Sequence, residues 1–396
     1  MRILLMIDWN RGRGGAEAYA AALRDGLLAA GDEVRLLTSS AGTAGDGAAE
    51  YVAYGTENRI QQSLLQIVNP FAAATVRRAV REFQPDIAWI NMFAHHLSPA
   101  ALLALGDLPK VLLVSDYKII CPVGSKLLPD GSLCRRPAGW VCHQAGCVSI
   151  PHWLRDQPRY AFIRSAVKRV DRVLGCSRWV NAELANAGIH SELMYLPVPA
   201  PPQNFERVPS PDPLFLFCGR LDVEKGLLVL LQAFARLNRD FPRARLRIAG
   251  QGPERTRLEH LAASLKIGSS VEFLGWKTRR EMEPLLSEAW ASVAPSLWAE
   301  PQGLVALEAI VRCVPVIASS SGGLGEMIEH GINGLLFPNG DEDALLNNLR
   351  AIASGVAFPE RSLSQEVAQR TLADFSTESH IERLRQVFSA TIRDKR

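Results

Sequence analysis

The chain has 396 residues, of which 47% are hydrophobic and 21% are charged, and its formal net charge at pH 7 is +3. This length allows two domains, each with its own hydrophobic core, and the composition is that of a soluble globular protein. No apolar run reaches the roughly 18 residues of a membrane-spanning helix. The small net charge gives no reason to expect a nucleic-acid partner. The first apolar run is too short for a signal peptide, so we expect a cytoplasmic protein.

The first half alternates apolar strands with helical patterns, as doubly wound α/β domains do. A helix from about residue 16 to residue 30 follows the first strand and its glycine-rich loop, and Gly31 ends it. The predicted strands are residues 3–7, 33–38, 86–90, 111–114 and 170–176.

A proline-rich connector separates the two halves, with prolines from Pro197 to Pro213. Proline at this density blocks helices and sheet interiors, which makes the segment semi-rigid. The alternation then resumes, with strands predicted at residues 214–218, 246–249, 271–274, 291–294 and 315–318. We therefore predict domains at 1–200 and 201–375, followed by a helical segment at 376–396.

The stretch from Ser296 to Ala309 reads as a loop and helix after a buried strand. It carries Glu300 in the loop, Gly303 before the helix and Glu308 about two turns later. A helix N-terminus suits a phosphate, so the carboxylates would accept hydrogen bonds from sugar hydroxyls. The alternative is that both acids are ordinary helix-end and surface residues, because Glu is favoured near helix N-termini.

Three further loops follow predicted strands of the second half. The first carries Arg220 and Lys225 between two glycines, a combination that suits a diphosphate; a turn with solvated charges is the alternative. The others are Gly250-Gln251-Gly252, for which a plain turn is the alternative, and Gly322-Gly323 with Glu326 entering a helix.

In the first half, Gly14 and Gly15 lie between a strand and a helix, as a phosphate-binding turn requires. A dinucleotide-binding fingerprint is the competing interpretation. Its Gly-x-Gly-x-x-Gly spacing is not met, because position 17 is Glu.

These motifs together resemble the retaining GT-B glycosyltransferases of the large group 1 family, known as family four. The resemblance implies two Rossmann-like domains, with the terminal helix crossing back onto the first. It assigns Glu300 to the donor sugar, Glu308 to the nucleotide ribose, and Arg220 and Lys225 to the diphosphate. The remaining donor-binding positions that it implies are Gly14, Gly15, Asp116, Gly219, Gly250, Gly252, Gln302, Gly303, Leu304 and Glu326.

On the acceptor side the resemblance points to Asn91, His95 and Ser115. Many family members carry histidines where this chain has Ile90 and Ser115, and Phe in place of Gln302. These departures leave open which donor sugar is preferred and which residue of the first domain contacts that sugar.

A cysteine cluster at Cys121, Cys134, Cys142 and Cys147 lies in a stretch, about 119–152, that resembles an acceptor-side insertion of some family members. Four sulfurs suit a structural zinc ion. The spacing lacks a Cys-x-x-Cys pair, so reduced buried thiols are the alternative.

A basic stretch follows this insertion and contains only two acids. It could rest on anionic lipid at the inner membrane face, or it could be a solvated helix face. Its basic residues are Arg155, Arg159, Arg164, Lys168, Arg169, Arg172 and Arg178.

The predicted function is metal-independent, retaining transfer of a hexose from a nucleotide-diphosphate sugar to a saccharide or lipid-linked acceptor, in cell-surface polysaccharide or glycolipid synthesis. No cofactor is required for this chemistry, because cations and helix N-termini stabilise the leaving group. A sugar epimerase or phosphorylase of the same fold is one alternative. A non-catalytic nucleotide-sugar-binding or scaffold protein is the other.

Overall fold

A computed structural model describes residues 1–8, 15–41 and 49–395. The chain divides into two compact units. Unit 1 comprises Met1–Pro129, Cys134–Pro197 and Thr377–Arg396, and unit 2 comprises Asp130–Leu133 and Val198–Ser376. No helix within the described residues is long and apolar enough to cross a membrane.

Unit 1 contains, within the described residues, a seven-stranded parallel sheet of order β3-β2-β1-β4-β5-β6-β7. Its central strands are buried on both faces, which explains why their sequences are continuous apolar runs. The strands are β1 Arg2–Ile7, β2 Glu33–Ser39, β3 Tyr51–Ala53, β4 Ile87–Asn91, β5 Lys110–Val114, β6 Arg172–Gly175 and β7 Glu192–Leu193.

The helices that flank this sheet include α15, which packs against α1. The contact is polar at its centre, where the Tyr19 hydroxyl lies 2.9 Å from Nε2 of the buried His380. The chain end thus belongs to unit 1, and the prediction of a returning terminal helix is confirmed. The helices are α1 Gly15–Ala29, α2 Arg59–Leu65, α3 Pro70–Phe83, α4 Ser98–Ala104, α5 Val141–Gln144, α6 Ile150–Val167, α7 Arg178–Asn186 and α15 Thr377–Lys395.

Unit 2 repeats the architecture with a six-stranded parallel sheet of order β10-β9-β8-β11-β12-β13. Its strands are β8 Leu214–Cys218, β9 Arg245–Ala249, β10 Val271–Gly275, β11 Ala291–Ala294, β12 Val316–Ser319 and β13 Gly334–Phe337. Its helices are α8 Leu227–Asp240, α9 Arg255–Ser264, α10 Arg279–Glu288, α11 Leu304–Ile310, α12 Leu324–Met327, α13 Glu342–Ala353 and α14 Gln365–Phe375.

The two parallel sheets with flanking helices confirm the predicted α/β class. The predicted strands are all present, with ends that differ by at most two residues. Three short strands escaped prediction, namely β3, β7 and β13. Each lies at a sheet edge and pairs on one side only, so its sequence needs no long apolar run.

Candidate functional site

The predicted donor residues of unit 2 lie at one edge of its sheet. In a parallel sheet all strands end at the same edge, so the loops after neighbouring strands meet there. The loops after β8, β9, β11 and β12 carry Gly219 to Gly226, Gly250 to Gly252, Pro295 to Gly303 and Ser320 to Gly323. Strand order thus brings together motifs that are far apart in the chain.

Glu300 is the centre of this edge. Its Oε1 lies 2.6 Å from Lys225 Nζ and accepts a hydrogen bond of 2.6 Å from the Ser296 hydroxyl. Burial pushes the pKa of this carboxyl upwards, but the Lys225 ammonium and the hydrogen bonds outweigh it and hold the pKa below its usual range. Glu300 is therefore an ionised carboxylate, and Lys225 is its counter-charge.

The backbone of Glu300 is held by the loop after β12. Glu300 and Gly322 form a parallel bridge, and the Gly323 N–H donates to the Glu300 carbonyl at 2.7 Å. Gly322 has φ +63°, and a Cβ there would lie 2.4 Å from the Glu300 carbonyl oxygen. The Gly322-Gly323 turn thus positions the predicted donor-sugar carboxylate.

The glycines of these loops allow close packing within unit 2. A Cβ at Gly250 would lie 1.8 Å from the Gly219 carbonyl oxygen, and one at Gly252 would lie 2.4 Å from that of Leu221. A Cβ at Gly303 would lie 2.6 Å from Leu324 Cδ1. Each glycine therefore lets its loop approach a neighbouring segment, and its contact with a donor stays a prediction.

Arg220 lies at the surface of this edge, with 71% of its side chain exposed. Its Nη2 lies 2.7 Å from Asp222 Oδ2 and 3.3 Å from Glu224 Oε1. Both acids belong to the same loop, so they orient the guanidinium while leaving much of it open to solvent.

Glu308 lies on α11, where its side chain is half-buried. Burial raises the pKa of its carboxyl, although Arg279 and Arg312 oppose the shift. Within the described residues no group donates a hydrogen bond to this carboxylate. A half-buried carboxylate without a donor is available to accept hydrogen bonds from a ligand diol.

The helix that carries Glu308 is tied down at its end. Arg312 makes a two-pronged ion pair with Glu283 of α10, at 2.7 and 2.6 Å, and its Nη1 donates to the Glu308 carbonyl at 3.0 Å. The Arg312 side chain is only 2% exposed. This pair fixes α11 against α10 and thereby fixes Glu308.

Three other predicted positions accompany α11. Gln302 is 2% exposed in the loop before it, and Leu304 is its first residue. Glu326 lies on the short helix α12, half-buried. All three therefore lie beside the loops that hold Glu300.

The equivalent edge of unit 1 is organised by Asp8 at the end of β1. Its carboxylate accepts backbone N–H groups from His95, His96 and Leu97, each at 2.8 Å. The loop after β4 is thereby fixed, with His95 half-buried. Burial lowers the pKa of His95, while Asp8 and Asp116 oppose that shift. His95 is therefore mainly neutral near pH 7.

Asn91 and Ser115 end the neighbouring strands β4 and β5. The Ser115 hydroxyl donates to the Asn91 side-chain oxygen at 3.2 Å. The Asn91 amide nitrogen is buried and has no hydrogen-bond partner within the described residues. Ser115, where the resembled family often has histidine, is therefore joined directly to a second predicted acceptor-side residue.

Asp116 follows and is half-buried. Its Oδ1 accepts the Lys118 N–H at 2.9 Å, but burial raises the pKa of the carboxyl. Of the predicted glycine-rich loop, Gly14 lies outside the described residues and Gly15 is the first residue of α1.

Two family models match this chain. "Glycosyl transferase 4-like domain" matches residues 14–199, and "Glycosyl transferases group 1" matches residues 203–362. The chain belongs to the group 1 glycosyltransferases. Glycogen synthase of Mycobacterium tuberculosis is 34% identical over 181 residues, which cover 46% of this chain and 43% of that protein. The chain thus aligns with less than half the length of such curated relatives.

Solved structures share the fold of this group 1 glycosyltransferase. Sucrose-phosphate synthase from Thermosynechococcus elongatus superposes with a TM-score of 0.76 at 23% identity, covering 98% of this chain and 100% of that one. Anabaena HepE in complex with UDP-glucose superposes with a TM-score of 0.67 at 19% identity, with the same coverage. At these identities the likeness establishes the two-unit fold.

The cysteine stretch of this glycosyltransferase was predicted to hold a structural zinc ion. Within the described residues no three or more His, Cys, Asp or Glu side chains are grouped as a metal site. Cys121, Cys134, Cys142 and Cys147 form no disulfide, and burial raises the pKa of Cys142. Structural zinc at these cysteines stays a prediction, with reduced thiols as the alternative.

The expected basic face is not a single surface. Arg159 is only 4% exposed and points inwards, where its Nη2 donates to the Ala94 carbonyl at 2.8 Å. Arg155 pairs with the buried Asp156 at 2.8 Å, and Arg172 pairs with Glu192 at the same distance. The exposed remainder is Arg164, Lys168, Arg169 and Arg178.

Several residues at these two edges escaped the sequence-based prediction. Ser296, Glu283 and Arg312 support Glu300 and Glu308, and Asp8 supports His95. Serine, aspartate and an Arg–Glu pair are common everywhere, so nothing in the sequence distinguishes them. Their roles follow from which loops meet.

Proposed function

We propose that this protein is a retaining glycosyltransferase that takes a hexose from a nucleotide-diphosphate sugar. The observation that carries the proposal is the arrangement in unit 2 of two unlike carboxylates: Glu300 is paired with Lys225, and Glu308 has no donor within the part of the chain that the structure describes. They lie beside two cations and a helix start at the carboxyl edge of a parallel sheet. Such an edge is where α/β sheets bind nucleotides.

In this proposal Glu308 accepts hydrogen bonds from the ribose diol, and Glu300 accepts them from hydroxyls of the donor sugar. Arg220 and Lys225 stabilise the negative charge that develops on the departing diphosphate, which is the main electrostatic requirement of the reaction. The resemblance to the family supplies these assignments, and the complex of Anabaena HepE with UDP-glucose supports a nucleotide sugar as donor.

The bond between the anomeric carbon and the leaving phosphate oxygen breaks while the acceptor oxygen attacks from the same face. The acceptor proton passes to that phosphate oxygen. The phosphate itself is then the base, so no side-chain base is needed, and Arg220 and Lys225 take the place of a metal ion in stabilising the leaving group. This agrees with a site in which Ser115 stands where histidine is common in the family. In unit 1, Asn91, His95 and Ser115 are proposed to contact the acceptor.

The experiment is a panel of nucleotide-diphosphate sugars with simple glycoside acceptors, in which release of nucleoside diphosphate is followed. The anomeric configuration of the product is read by NMR. We expect turnover with retention for one donor, and loss of nucleotide binding in Glu308→Gln. Nucleotide binding without turnover of any donor would favour a non-catalytic binding protein, and absence of nucleotide binding would refute the donor site.

The place of action is proposed to be the inner membrane face, with a saccharide or lipid-linked acceptor. The exposed cations Arg164, Lys168 and Arg169 support it, because clustered basic residues bind anionic head groups. Sedimentation with vesicles containing phosphatidylglycerol should fall when the three are replaced by Gln. Equal sedimentation of wild type and variant would contradict this.

A further inference from the structure

We propose that Lys118 and Arg159 of unit 1 form an anion subsite that binds a phosphate group of the acceptor substrate. This inference rests on the proposed transfer reaction and adds the chemical class of its acceptor. It starts from two cations at the carboxyl edge of the unit 1 sheet that form no ion pair within the described residues.

Arg159 is the first of the two. It is 4% exposed, yet its one hydrogen bond within the described residues runs from Nη2 to the Ala94 carbonyl. Its Nε is buried without a partner. A guanidinium has five N–H donors, so most of those of Arg159 are unused among the described residues. Burying a charge without partners costs free energy, and a bound anion would offset that cost.

Lys118 is the second. Its Nζ donates to the Val123 carbonyl at 2.8 Å. Two of the three N–H donors of the ammonium are therefore unused within the described residues. Its stem lies against Gly124, where a Cβ would approach Lys118 Cε to 2.6 Å. The Tyr160 hydroxyl donates to the Lys118 carbonyl at 3.2 Å, so the helix that carries Arg159 is tied to the segment that carries Lys118.

The nearby acids do not neutralise this pair. Neither cation forms an ion pair with any carboxylate of the described residues. Asp156 pairs with Arg155 at 2.8 Å, and Asp116 accepts the backbone N–H of Lys118 at 2.9 Å rather than its ammonium. Burial and the Arg159 charge lower the pKa of the Lys118 ammonium, and Asp116 and Asp156 oppose this shift without reversing it. The two cations repel each other in a partly buried site, and a bound anion would therefore stabilise both.

Phosphate is the favoured anion because Arg offers a planar fork of donors and Lys a compact charge, the usual combination for phosphate oxygens. The subsite lies beside His95, whose pKa both cations lower. His95 is one of the proposed acceptor contacts. The group could belong to a soluble sugar phosphate or to a lipid-linked diphosphate, which share this chemistry.

The test is calorimetric titration of the full chain with inorganic phosphate, glucose 6-phosphate and farnesyl diphosphate. The variants are Lys118→Met and Lys118→Arg, with Lys266→Met as the matched control, since Lys266 is an exposed lysine outside both proposed binding surfaces. Phosphate binding by unit 2 is common to the wild type and all variants. We expect at least tenfold weaker binding in Lys118→Met, recovery in Lys118→Arg and no change in Lys266→Met.

The two organic probes separate the sources. A preference for glucose 6-phosphate that Lys118→Met removes indicates a soluble acceptor, and a preference for farnesyl diphosphate indicates a lipid-linked one. Lys118→Met should melt no lower than wild type without phosphate, because it relieves repulsion from Arg159. Equal phosphate affinity in all variants, or a loss of affinity that accompanies a lower melting temperature, overturns the subsite. Nucleotide binding, tested through Glu308, is independent of both cations and can succeed while this inference fails.

Discussion

Lys225 Nζ lies 2.6 Å from Glu300 Oε1, across 75 residues of sequence. The Lys225 and Glu300 side chains are 19% and 10% exposed, so the pair is largely removed from water. The contact joins the cation proposed to bind the diphosphate to the carboxylate proposed to bind the sugar. It is both a structural element of unit 2 and the proposed centre of its chemistry.

Lys225→Met should therefore affect stability as well as binding. The variant leaves Glu300 buried without its counter-charge, and removal of one partner of a buried pair costs about 3 kcal/mol. We expect the unfolding free energy of unit 2 to fall by that order in urea titrations. Lys266→Met removes an exposed lysine of the same unit and should have little effect. Equal stability of the two variants would show that the pair is solvated.

Nucleotide affinity should depend on pH through Glu308. Because burial raises its pKa, this carboxyl takes up a proton at a higher pH than an ordinary glutamate. The ionised form accepts hydrogen bonds from the ribose hydroxyls more strongly than the protonated form, in which one oxygen becomes a donor. Affinity for nucleoside diphosphate should therefore weaken as pH falls towards that pKa.

The measurement is calorimetric titration between pH 5 and pH 8. Glu308→Gln should bind weakly and lack this component of the pH dependence, whereas Glu360→Gln, at an exposed position, should behave as wild type. A Glu308→Gln profile that keeps the wild-type slope would assign the dependence to another group.

Gly226→Ala should disrupt the donor edge. Gly226 has φ +70°, and its added Cβ would lie 1.9 Å from the Pro295 carbonyl oxygen. Gly355 has a similar φ of +73° with nothing within 4 Å, so Gly355→Ala should cost only about 1 kcal/mol of backbone strain. Gly226→Ala should melt lower than this control and lose nucleotide binding. Similar melting of the two would show that the loop gives way easily.

Arg207 is expected to stabilise unit 2 without any carboxylate. It donates to the carbonyls of Leu286, Ser287, Ala289 and Arg361, and burial lowers its pKa to about 10. Arg207→Met leaves these carbonyls without their donor and should cost about 3 kcal/mol. Arg243→Met, at a side chain 83% exposed, should cost little. If calorimetry shows that Arg207→Met lowers the unfolding free energy only slightly, water replaces the guanidinium as donor to these carbonyls.

His380 should make unit 1 less stable in weak acid. Its Nδ1 donates to the Tyr195 carbonyl, so its Nε2 must accept from Tyr19, and this requires the neutral ring. Burial lowers its pKa from 6.5 to about 4. The unfolded chain binds a proton below about pH 6.5 that the folded chain does not, so stability is full above pH 6.5 and is lost down to about pH 4.

Urea unfolding at pH 7.5 and pH 5 tests this. Wild type should lose more stability between the two pH values than His380→Gln, by about 2 kcal/mol. Other groups titrate in both proteins, so only the difference matters. Equal losses in the two proteins would show that His380 is protonated in the folded state.

Strand positions and the order of motifs were predictable because they depend on local pattern. Apolar runs such as 214–218 and 291–294 were located to the residue, since buried parallel strands need them. The bond between Lys225 and Glu300 was not predictable, although both residues were candidates. It depends on β8 and β11 being neighbours, and strand order is not a local property.

The sequence alone determined the fold class, the family and the set of candidate residues, because each depends on short patterns in which residue type and spacing carry the information. Only the tertiary structure decided what those residues contact. It placed the loop glycines against neighbouring segments and turned Arg159 of the basic stretch inwards. Among the described residues it paired Glu300 and left Glu308 without a donor. Such outcomes depend on which loops the parallel sheets bring to one edge and on which charges packing removes from water.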